Sequence, residues 1–170
     1  MILVTGGAGH IGNVLVRDLV SKGENVRVLA LPGENVDSLD GLNVEIVRGN
    51  ILDVEQLREA MTGARLVFHL ASFVALTADK YALMHKVNVE GTANVISLCN
   101  ELGVERLVYT SSIHAFERVP EGVVVNETLQ FDTQNPDGLY DRTKAEATLL
   151  VLDAVKEGLD AVVVCPTGVV

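Results

Sequence analysis

Short runs of β-branched and other apolar residues alternate with longer helical segments along the whole chain. Six such runs predict β-strands, at residues 2–5, 26–31, 44–48, 66–70, 107–110 and 161–165. Helical periodicity covers residues 12–22, 54–61, 80–102 and 140–156, whereas the connection around 35–40 is too short for a firm helix prediction. Residues 129–138 are polar and rich in turn formers, which predicts a surface loop. Because strands and helices alternate, we expect an α/β fold with a doubly wound parallel sheet.

The composition is typical of one domain built around such a sheet. Of the 170 residues, 48% are hydrophobic but only 4% are aromatic, so the apolar content is mainly aliphatic. The net charge is −10 and no run of Lys or Arg stands out, which argues against a nucleic-acid partner. The absence of a leader-like or membrane-spanning apolar run predicts a cytoplasmic protein with no membrane partner.

The two cysteines, Cys99 and Cys165, are far apart in sequence and lie in apolar stretches. A disulfide framework would need more cysteines, and a metal site would need more ligands. The sequence therefore predicts two reduced thiols and no metal site.

A glycine-rich turn follows the first predicted strand and leads directly into the first helix. Its glycines are Gly6, Gly9 and Gly12. Without side chains, they allow a tight turn, close packing of helix on strand, and approach of the backbone to a pyrophosphate. The unpaired N–H groups of a helix N-terminus then favour an anion. The strand–turn–helix context favours a dinucleotide site over a merely tight turn.

The end of the second strand normally decides which dinucleotide such a site accepts. An acidic residue there binds the ribose hydroxyls of NAD, whereas a nearby Arg accepts the extra phosphate of NADP. The residues at this place are Ala30 and Leu31, which are neither. The sequence therefore leaves NAD and NADP open.

Tyr140 and Lys144 lie one helical turn apart after the polar loop. A neighbouring ammonium would lower the pKa of a phenol and make it a usable acid or base, although such a pair is also common on a solvated helix face. Ser111 and Ser112 end the strand 107–110, where a hydroxyl can bind a substrate oxygen or simply begin a turn. Asn88 falls on or beside an apolar helical stripe. Its side chain is either a core amide with all its hydrogen bonds made or the anchor of a water that relays protons.

Taken together, these motifs resemble the extended short-chain dehydrogenases/reductases, the NAD-dependent epimerase/dehydratase family. The order of the segments matches along nearly the whole chain, and within the family the similarity is greatest to dihydroflavonol-reductase-like and nucleotide-sugar epimerase/dehydratase-like members. The matching segments are 5–12 (TGGAGHIG), 69–71 (HLA), 88–92 (NVEGT), 111–112 (SS), 140–144 (YDRTK) and 166–170 (PTGVV). The resemblance implies a Rossmann fold with a bound NAD or NADP.

The resemblance also implies residue roles. Tyr140 would be the acid/base, Lys144 would hold the nicotinamide ribose and tune Tyr140, Ser112 would orient the substrate oxygen, and Asn88 would complete a catalytic tetrad. Asn50 stands where the family often has an Asp that contacts adenine. The implied cofactor-binding residues are Gly6, Gly9, His10, Ile11, Gly12, Asn50, Ile51, Leu70, Ala71, Ser111, Tyr140, Lys144, Pro166 and Gly168.

Two departures from the family pattern bear on function. Leu31 replaces a basic residue common in the reductase-like members, and the chain stops at Val170, where the family continues into a smaller C-terminal substrate domain. Residues 1–170 are therefore interpreted as the dinucleotide-binding domain of a longer architecture, or as a truncated protein of reduced function. The implied activity is hydride transfer to or from a carbonyl or alcohol, as a homodimer. The alternatives are a nucleotide-sugar epimerase/dehydratase and a non-catalytic dinucleotide-binding module.

Overall fold

A computed structural model describes residues 1–75 and 77–169, and its centre is a six-stranded parallel sheet. The spatial order of the strands is β3-β2-β1-β4-β5-β6, which is the doubly wound Rossmann order. The strands are β1 (Ile2–Thr5), β2 (Val26–Ala30), β3 (Glu45–Arg48), β4 (Leu66–His69), β5 (Arg106–Thr110) and β6 (Ala161–Val164). All six predicted strands are therefore confirmed, with ends that differ by one residue at most.

Helices cover both faces of the sheet. They are α1 (His10–Ser21), α2 (Val54–Met61), α3 (Tyr81–His85), α4 (Gly91–Leu102) and α5 (Leu139–Lys156). The connection around 35–40 forms only a short 3₁₀ turn, Asp37–Leu39, and residues 129–138 form the predicted loop. The last residue of the segment 166–170 lies outside the described residues.

The helix predicted over 80–102 is not one continuous α-helix, so this prediction is wrong in detail. A 3₁₀ turn (Ala78–Lys80) precedes α3, and a π-helical segment (Lys86–Glu90) separates α3 from α4. Apolar periodicity alone does not report such a segment, because the helical turns on either side of it keep the same spacing of apolar residues.

The core lies in two layers, one on each face of the sheet. The larger layer packs beneath α2, α4 and α5 and includes Leu57, Leu98 and Val151, whereas the smaller layer packs beneath α1 and includes Val16. Strand register aligns Thr5 with Leu29 on one side and with His69 on the other. The carboxyl ends of these strands therefore meet at one edge of the sheet, where ligands bind in folds of this kind.

Candidate functional site

Two adjoining cavities form a cleft along the edge where the parallel strands end. The first cavity, of about 450 Å³, lies over the ends of β1, β2 and β3. The second cavity, of about 200 Å³, lies at the ends of β5 and β6. Leu70 and Ser72 line both cavities, so the two form one continuous cleft.

The glycine turn forms the floor of the first cavity. Gly6 has a φ of 71°, and a Cβ there would lie 2.7 Å from the Ala71 nitrogen. A Cβ on Gly12 would collide with the Gly6 carbonyl oxygen and lie 2.8 Å from the Gly7 Cα. At Gly9 the only atom within 4 Å of an added Cβ is the Gly6 oxygen, at 3.2 Å. Gly6 and Gly12 therefore serve the packing of the turn, whereas the surface over Gly9 is open.

Helix α1 begins at His10 and points its N-terminus at this turn. Gly9 is the N-cap, with no side chain capping the helix and no acidic residue in its first turn among the described residues. Asn13 donates from Nδ2 to the carbonyl oxygens of Gly9 (2.8 Å) and His10 (2.9 Å), so it occupies acceptors and leaves the helix donors free. This arrangement suits an anion held by backbone N–H groups.

The predicted cofactor residues at this end fall into two groups. Asn50, Ile51, Leu70 and Ala71 line the first cavity, as do Gly6 and Gly9. The Asn50 side chain accepts a hydrogen bond from the Leu52 nitrogen (2.9 Å), which orients its amide within the β3–α2 turn. His10 and Gly12 are absent from the described lining of either cavity; Gly12 is buried in the turn, whereas His10 is exposed.

Lys144 lies almost completely buried on α5, with 2% of its surface exposed. Its Nζ donates to the Thr110 carbonyl oxygen at 2.6 Å and lies 4.6 Å from the centre of the Tyr109 ring. Burial lowers the pKa of Lys144 from 10.5 to about 7, and a nearby Cys165 partly opposes this shift. The ammonium is therefore held at the end of β5 and is poised to titrate near neutral pH.

Tyr140 lies one turn before Lys144 and lines the second cavity with it. The expectation that Lys144 lowers the pKa of this phenol is wrong for the structure described. Burial raises the pKa of Tyr140, a hydrogen bond with Ser72 opposes the rise, and the negative Asp141 adds to it. The reason is geometric, because the Lys144 ammonium is directed to the Thr110 carbonyl. The Tyr140 phenol thus holds its proton at neutral pH.

The two serines after β5 differ in what their hydroxyls do. Ser111 Oγ lies 2.6 Å from Thr148 Oγ1, and because Thr148 donates to the Lys144 carbonyl, Ser111 must be the donor of this pair. Ser112 Oγ instead accepts from the His114 nitrogen at 3.2 Å, so its own hydrogen is available. Both serines line the second cavity, but Ser112 is the one that can donate to a ligand oxygen.

Asn88 lies in the middle of the π-helical segment and is 1% exposed. Its Oδ1 accepts from Ser72 Oγ (3.0 Å) and from the Phe73 nitrogen (2.8 Å). Its Nδ2 donates to the Phe73 oxygen (3.0 Å) and to Thr143 Oγ1 (3.0 Å). These four bonds fill the capacity of the amide. These contacts favour the interpretation of Asn88 as a core amide with all its hydrogen bonds made, which holds the β4–α3 loop against α5. The role as anchor of a proton-relay water stays a prediction.

His69 is a functional candidate that the sequence analysis passed over. Its Nδ1 lies 2.7 Å from Thr5 Oγ1, and its Nε2 lies 3.0 Å from Thr92 Oγ1. Because Thr92 donates to the Asn88 carbonyl oxygen at 2.6 Å, it accepts from His69, and the ring therefore carries its hydrogen on Nε2. Burial lowers the pKa of His69 to about 3, with the positive Lys144 adding to the effect. A neutral imidazole thus joins β1 and β4 to α4.

The far wall of the second cavity comes from the segment after β6. Pro166 lines the cavity, as predicted, together with Thr167 and Val169, whereas Gly168 is absent from its described lining. Thr110 and Ile11 complete the walls nearest the cleft. Thr110 carries no motif of its own, so the sequence offered no signal for it, whereas Thr167 belongs to the matching segment 166–170.

Neither a metal-binding cluster of His, Cys, Asp or Glu nor a helix able to cross a membrane occurs within 1–75 and 77–169. Both cysteines are free, and burial raises the pKa of the Cys99 thiol to about 12. Cys99 is therefore an inert core residue, whereas Cys165 is only partly buried.

Comparison with known proteins decides the family. The profile of the 3-beta hydroxysteroid dehydrogenase/isomerase family matches residues 3–166. The chain belongs to this family. A sterol demethylase protein B of Methylococcus capsulatus is 37% identical over 169 residues, covering 99% of this chain and 51% of the relative. A cinnamoyl-CoA reductase 1 of Oryza sativa subsp. japonica is 34% identical, with 98% and 52% covered.

Solved structures in the same superfamily share the fold. A short-chain dehydrogenase/reductase superfamily protein of Agrobacterium tumefaciens with bound NAD gives a TM-score of 0.84 at 31% identity, covering 97% of this chain and 48% of that one. The UDP-glucose 4-epimerase of Thermus thermophilus in complex with NAD gives 0.82 at 30% identity, with 96% and 54% covered. The resemblance to extended short-chain dehydrogenases/reductases is thus confirmed, and this member of the 3-beta hydroxysteroid dehydrogenase/isomerase family spans about half the length of its relatives.

Proposed function

We propose that the chain binds a nicotinamide dinucleotide along the cleft and supplies the acid/base group for hydride transfer at a carbonyl or alcohol carbon. The observation that carries the proposal is the meeting of Tyr140, Lys144 and Ser112 at the second cavity. This cavity opens into the first one, whose floor is the glycine turn. The cleft therefore joins a place for the dinucleotide to a place for the reaction.

The first cavity suits the non-reacting part of a dinucleotide. The open surface over Gly9 and the uncapped N-terminus of α1 fit a pyrophosphate. Apolar side chains such as Leu31 and Ile51 form walls for an adenine ring. The NAD present in both solved neighbours supports this use of the cleft. When bound, the reduced dinucleotide supplies a hydride, and its oxidised form accepts one.

In the second cavity, two hydroxyl donors line the space where a substrate oxygen would sit. In the reducing direction, Tyr140 donates its proton to the carbonyl oxygen as hydride reaches the carbonyl carbon, and the carbonyl becomes an alcohol. Ser112 donates a hydrogen bond to the same oxygen, while the Lys144 ammonium stays bound to the Thr110 carbonyl oxygen beside the same cavity. Because burial raises the pKa of Tyr140, the phenol begins the reduction protonated.

Nucleotide-sugar epimerisation is the second candidate. It is supported by the likeness to a UDP-glucose 4-epimerase at 30% identity over 96% of this chain. The same Tyr140 and Ser112 would serve a transient oxidation of the sugar in that case. A non-catalytic dinucleotide-binding module has no use for the buried Lys144 beside a phenol. The homodimer and the cytoplasmic location implied by the resemblance stay predictions.

Substitution of Tyr140 by Phe tests the proposal. The gene product that contains this chain is assayed with NAD(H) or NADP(H) and a panel of small aldehydes, ketones and alcohols, and separately with UDP-glucose. Loss of the phenol proton should lower kcat by about 10²- to 10⁴-fold and leave dinucleotide affinity unchanged. Tyr81, which lies at the start of α3, offers the matched control, and Tyr81→Phe should retain full turnover.

Normal turnover in the Tyr140→Phe variant would remove the acid/base assignment. Turnover of UDP-glucose without net change in the dinucleotide would select epimerisation over net reduction. Dinucleotide binding without turnover of any substrate in either panel would favour the non-catalytic module.

A further inference from the structure

A single charged side chain lines the described part of the first cavity, and it comes from a loop that follows β2. This side chain is Glu34, and the described lining contains no Lys or Arg. The strand itself ends in Ala30, with Leu31 next, so an acid is missing from the place where dinucleotide folds usually carry one. The loop supplies it from four residues further along the chain.

The loop folds back so that the Glu34 carboxylate returns to the end of β2. Gly33 adopts a φ of 80°, and the Glu34 nitrogen donates to the Leu31 oxygen at 3.0 Å to close the turn. Glu34 Oε2 then accepts from the Leu31 nitrogen at 2.7 Å. The carboxylate is thus fixed through one oxygen, and its other oxygen keeps its acceptor capacity.

Arg48 of β3 holds the loop in this position. Its Nη1 donates to the carbonyl oxygens of Leu31 (3.0 Å) and Glu34 (2.8 Å), which are the two ends of the turn. Arg48 is therefore used for the backbone of the loop, and it is absent from the described lining of the first cavity. The cavity presents negative charge at this wall.

We propose that Glu34 makes the cleft selective for NAD over NADP, because its carboxylate accepts a hydrogen bond from an adenosine ribose hydroxyl and repels a phosphate on that ribose. The proposal rests on the proposed function, because it presumes that the first cavity receives the adenosine half. It decides between NAD and NADP, which the residues at the end of β2 left open. A doubly charged phosphate beside a fixed carboxylate would meet like-charge repulsion, and the described lining of the first cavity contains no Lys or Arg to offset it.

The test is a pair of titrations of NADH and NADPH into the gene product that contains this chain, followed by nicotinamide fluorescence. Because the chain has no Trp, its own emission interferes little. The wild type should bind NADH at least about tenfold more tightly than NADPH. Glu34→Gln keeps an oxygen for the Leu31 nitrogen and so preserves the loop, but it should bring the two affinities to within about threefold of each other.

Asp37→Asn is the matched control, because it removes one negative charge from the same loop at an exposed residue outside the cavity lining. It should leave the wild-type preference for NADH in place. Glu34→Asp retains the charge on a shorter side chain and should keep most of the preference.

Four results would overturn the inference. Equal affinities for NADH and NADPH in the wild type, or an unchanged preference in Glu34→Gln, would show that the carboxylate only caps the turn, and the proposed function would stand. A preference lost equally in Asp37→Asn would assign the effect to net charge instead of Glu34. Failure of the wild type to bind either dinucleotide would remove the proposed function together with this inference.

Discussion

The two cavities of the cleft are lined by different kinds of chemical groups. The first is lined by backbone at the glycine turn, by apolar side chains and by one carboxylate on a surface loop. The second is lined by hydroxyls, by some apolar side chains and by the Lys144 ammonium, which donates to the Thr110 carbonyl oxygen at the end of β5. Binding at the first cavity thus depends on space and backbone donors, whereas chemistry at the second depends on buried polar side chains.

The difference extends into the core beneath each cavity. Under the first cavity, Val16 of α1 belongs to an aliphatic cluster that includes Val28 of β2. Beneath the second cavity lies a buried polar layer, in which Ser111 donates to Thr148 and Thr148 donates to the Lys144 carbonyl oxygen. A buried polar layer specifies one arrangement because each misplaced member would leave an unpaired group, and that costs about 1–3 kcal/mol. The catalytic end is therefore the more rigidly determined of the two.

The largest expected effect contrasts two glycines of the glycine turn. Gly12→Ala places a methyl group against backbone atoms of Gly6 and Gly7, which cannot move without opening the turn. It should lower the free energy of unfolding by about 3 kcal/mol and abolish dinucleotide binding. Urea denaturation and NADH titration measure the two quantities.

Gly9→Ala is the matched partner, because Gly9 has a φ of −70° and an added methyl group would crowd only the Gly6 carbonyl oxygen among the described residues, at 3.2 Å. It should change stability by less than about 0.5 kcal/mol and still weaken NADH binding, since the methyl group stands where the pyrophosphate would approach. Equal loss of stability in both variants would mean that the turn is simply a tight turn, without a ligand-facing glycine.

A smaller effect, of opposite sign, is expected at the second cavity. Because the pKa of Lys144 is lowered to about 7 from 10.5, the unfolded chain binds more protons than the folded one between these pH values. The stability of the wild type should therefore rise with pH through this window. Below pH 7, the destabilisation caused by burying the charged Lys144 reaches its full size. Lys144→Met removes that cost and should raise stability by about 2 kcal/mol at pH 6, with the gain disappearing toward pH 10.5.

Thermal or urea denaturation from pH 6 to 10 checks this prediction. Lys156→Met is the control, because Lys156 is exposed and forms an ion pair with Asp153 on the helix surface, and it should shift stability by less than about 0.5 kcal/mol at every pH. A Lys144→Met variant that is less stable than the wild type at pH 6, or a gain that does not change with pH, would contradict the lowered pKa.

The sequence predicted most of the fold because its signals are local and repeated. Each strand is a short aliphatic run, and the turn is recognised from the spacing of Gly6, Gly9 and Gly12 between a strand and a helix. The π-helical segment around Asn88 was not predictable, since it depends on contacts with Phe73 and Thr143 from distant parts of the chain.

The site residues show the same division. Tyr140, Lys144 and Ser112 were predicted from motif order, and the structure brings them to one cavity. The direction of the Tyr140 pKa shift was predicted wrongly, because it depends on where the Lys144 ammonium points and on how deeply the phenol is buried. Glu34 was missed because its place in the cavity is set by the fold-back of its loop, which no single motif reports.

The crystal structure of the protein with bound NAD tests the central claim most directly. The account predicts the pyrophosphate at the N-terminus of α1 over Gly9, the adenosine in the first cavity, and the nicotinamide in the second cavity beside Tyr140 and Ser112. A dinucleotide that lies outside the cleft, or one whose nicotinamide points away from Tyr140, would contradict the claim that these two cavities form one catalytic site.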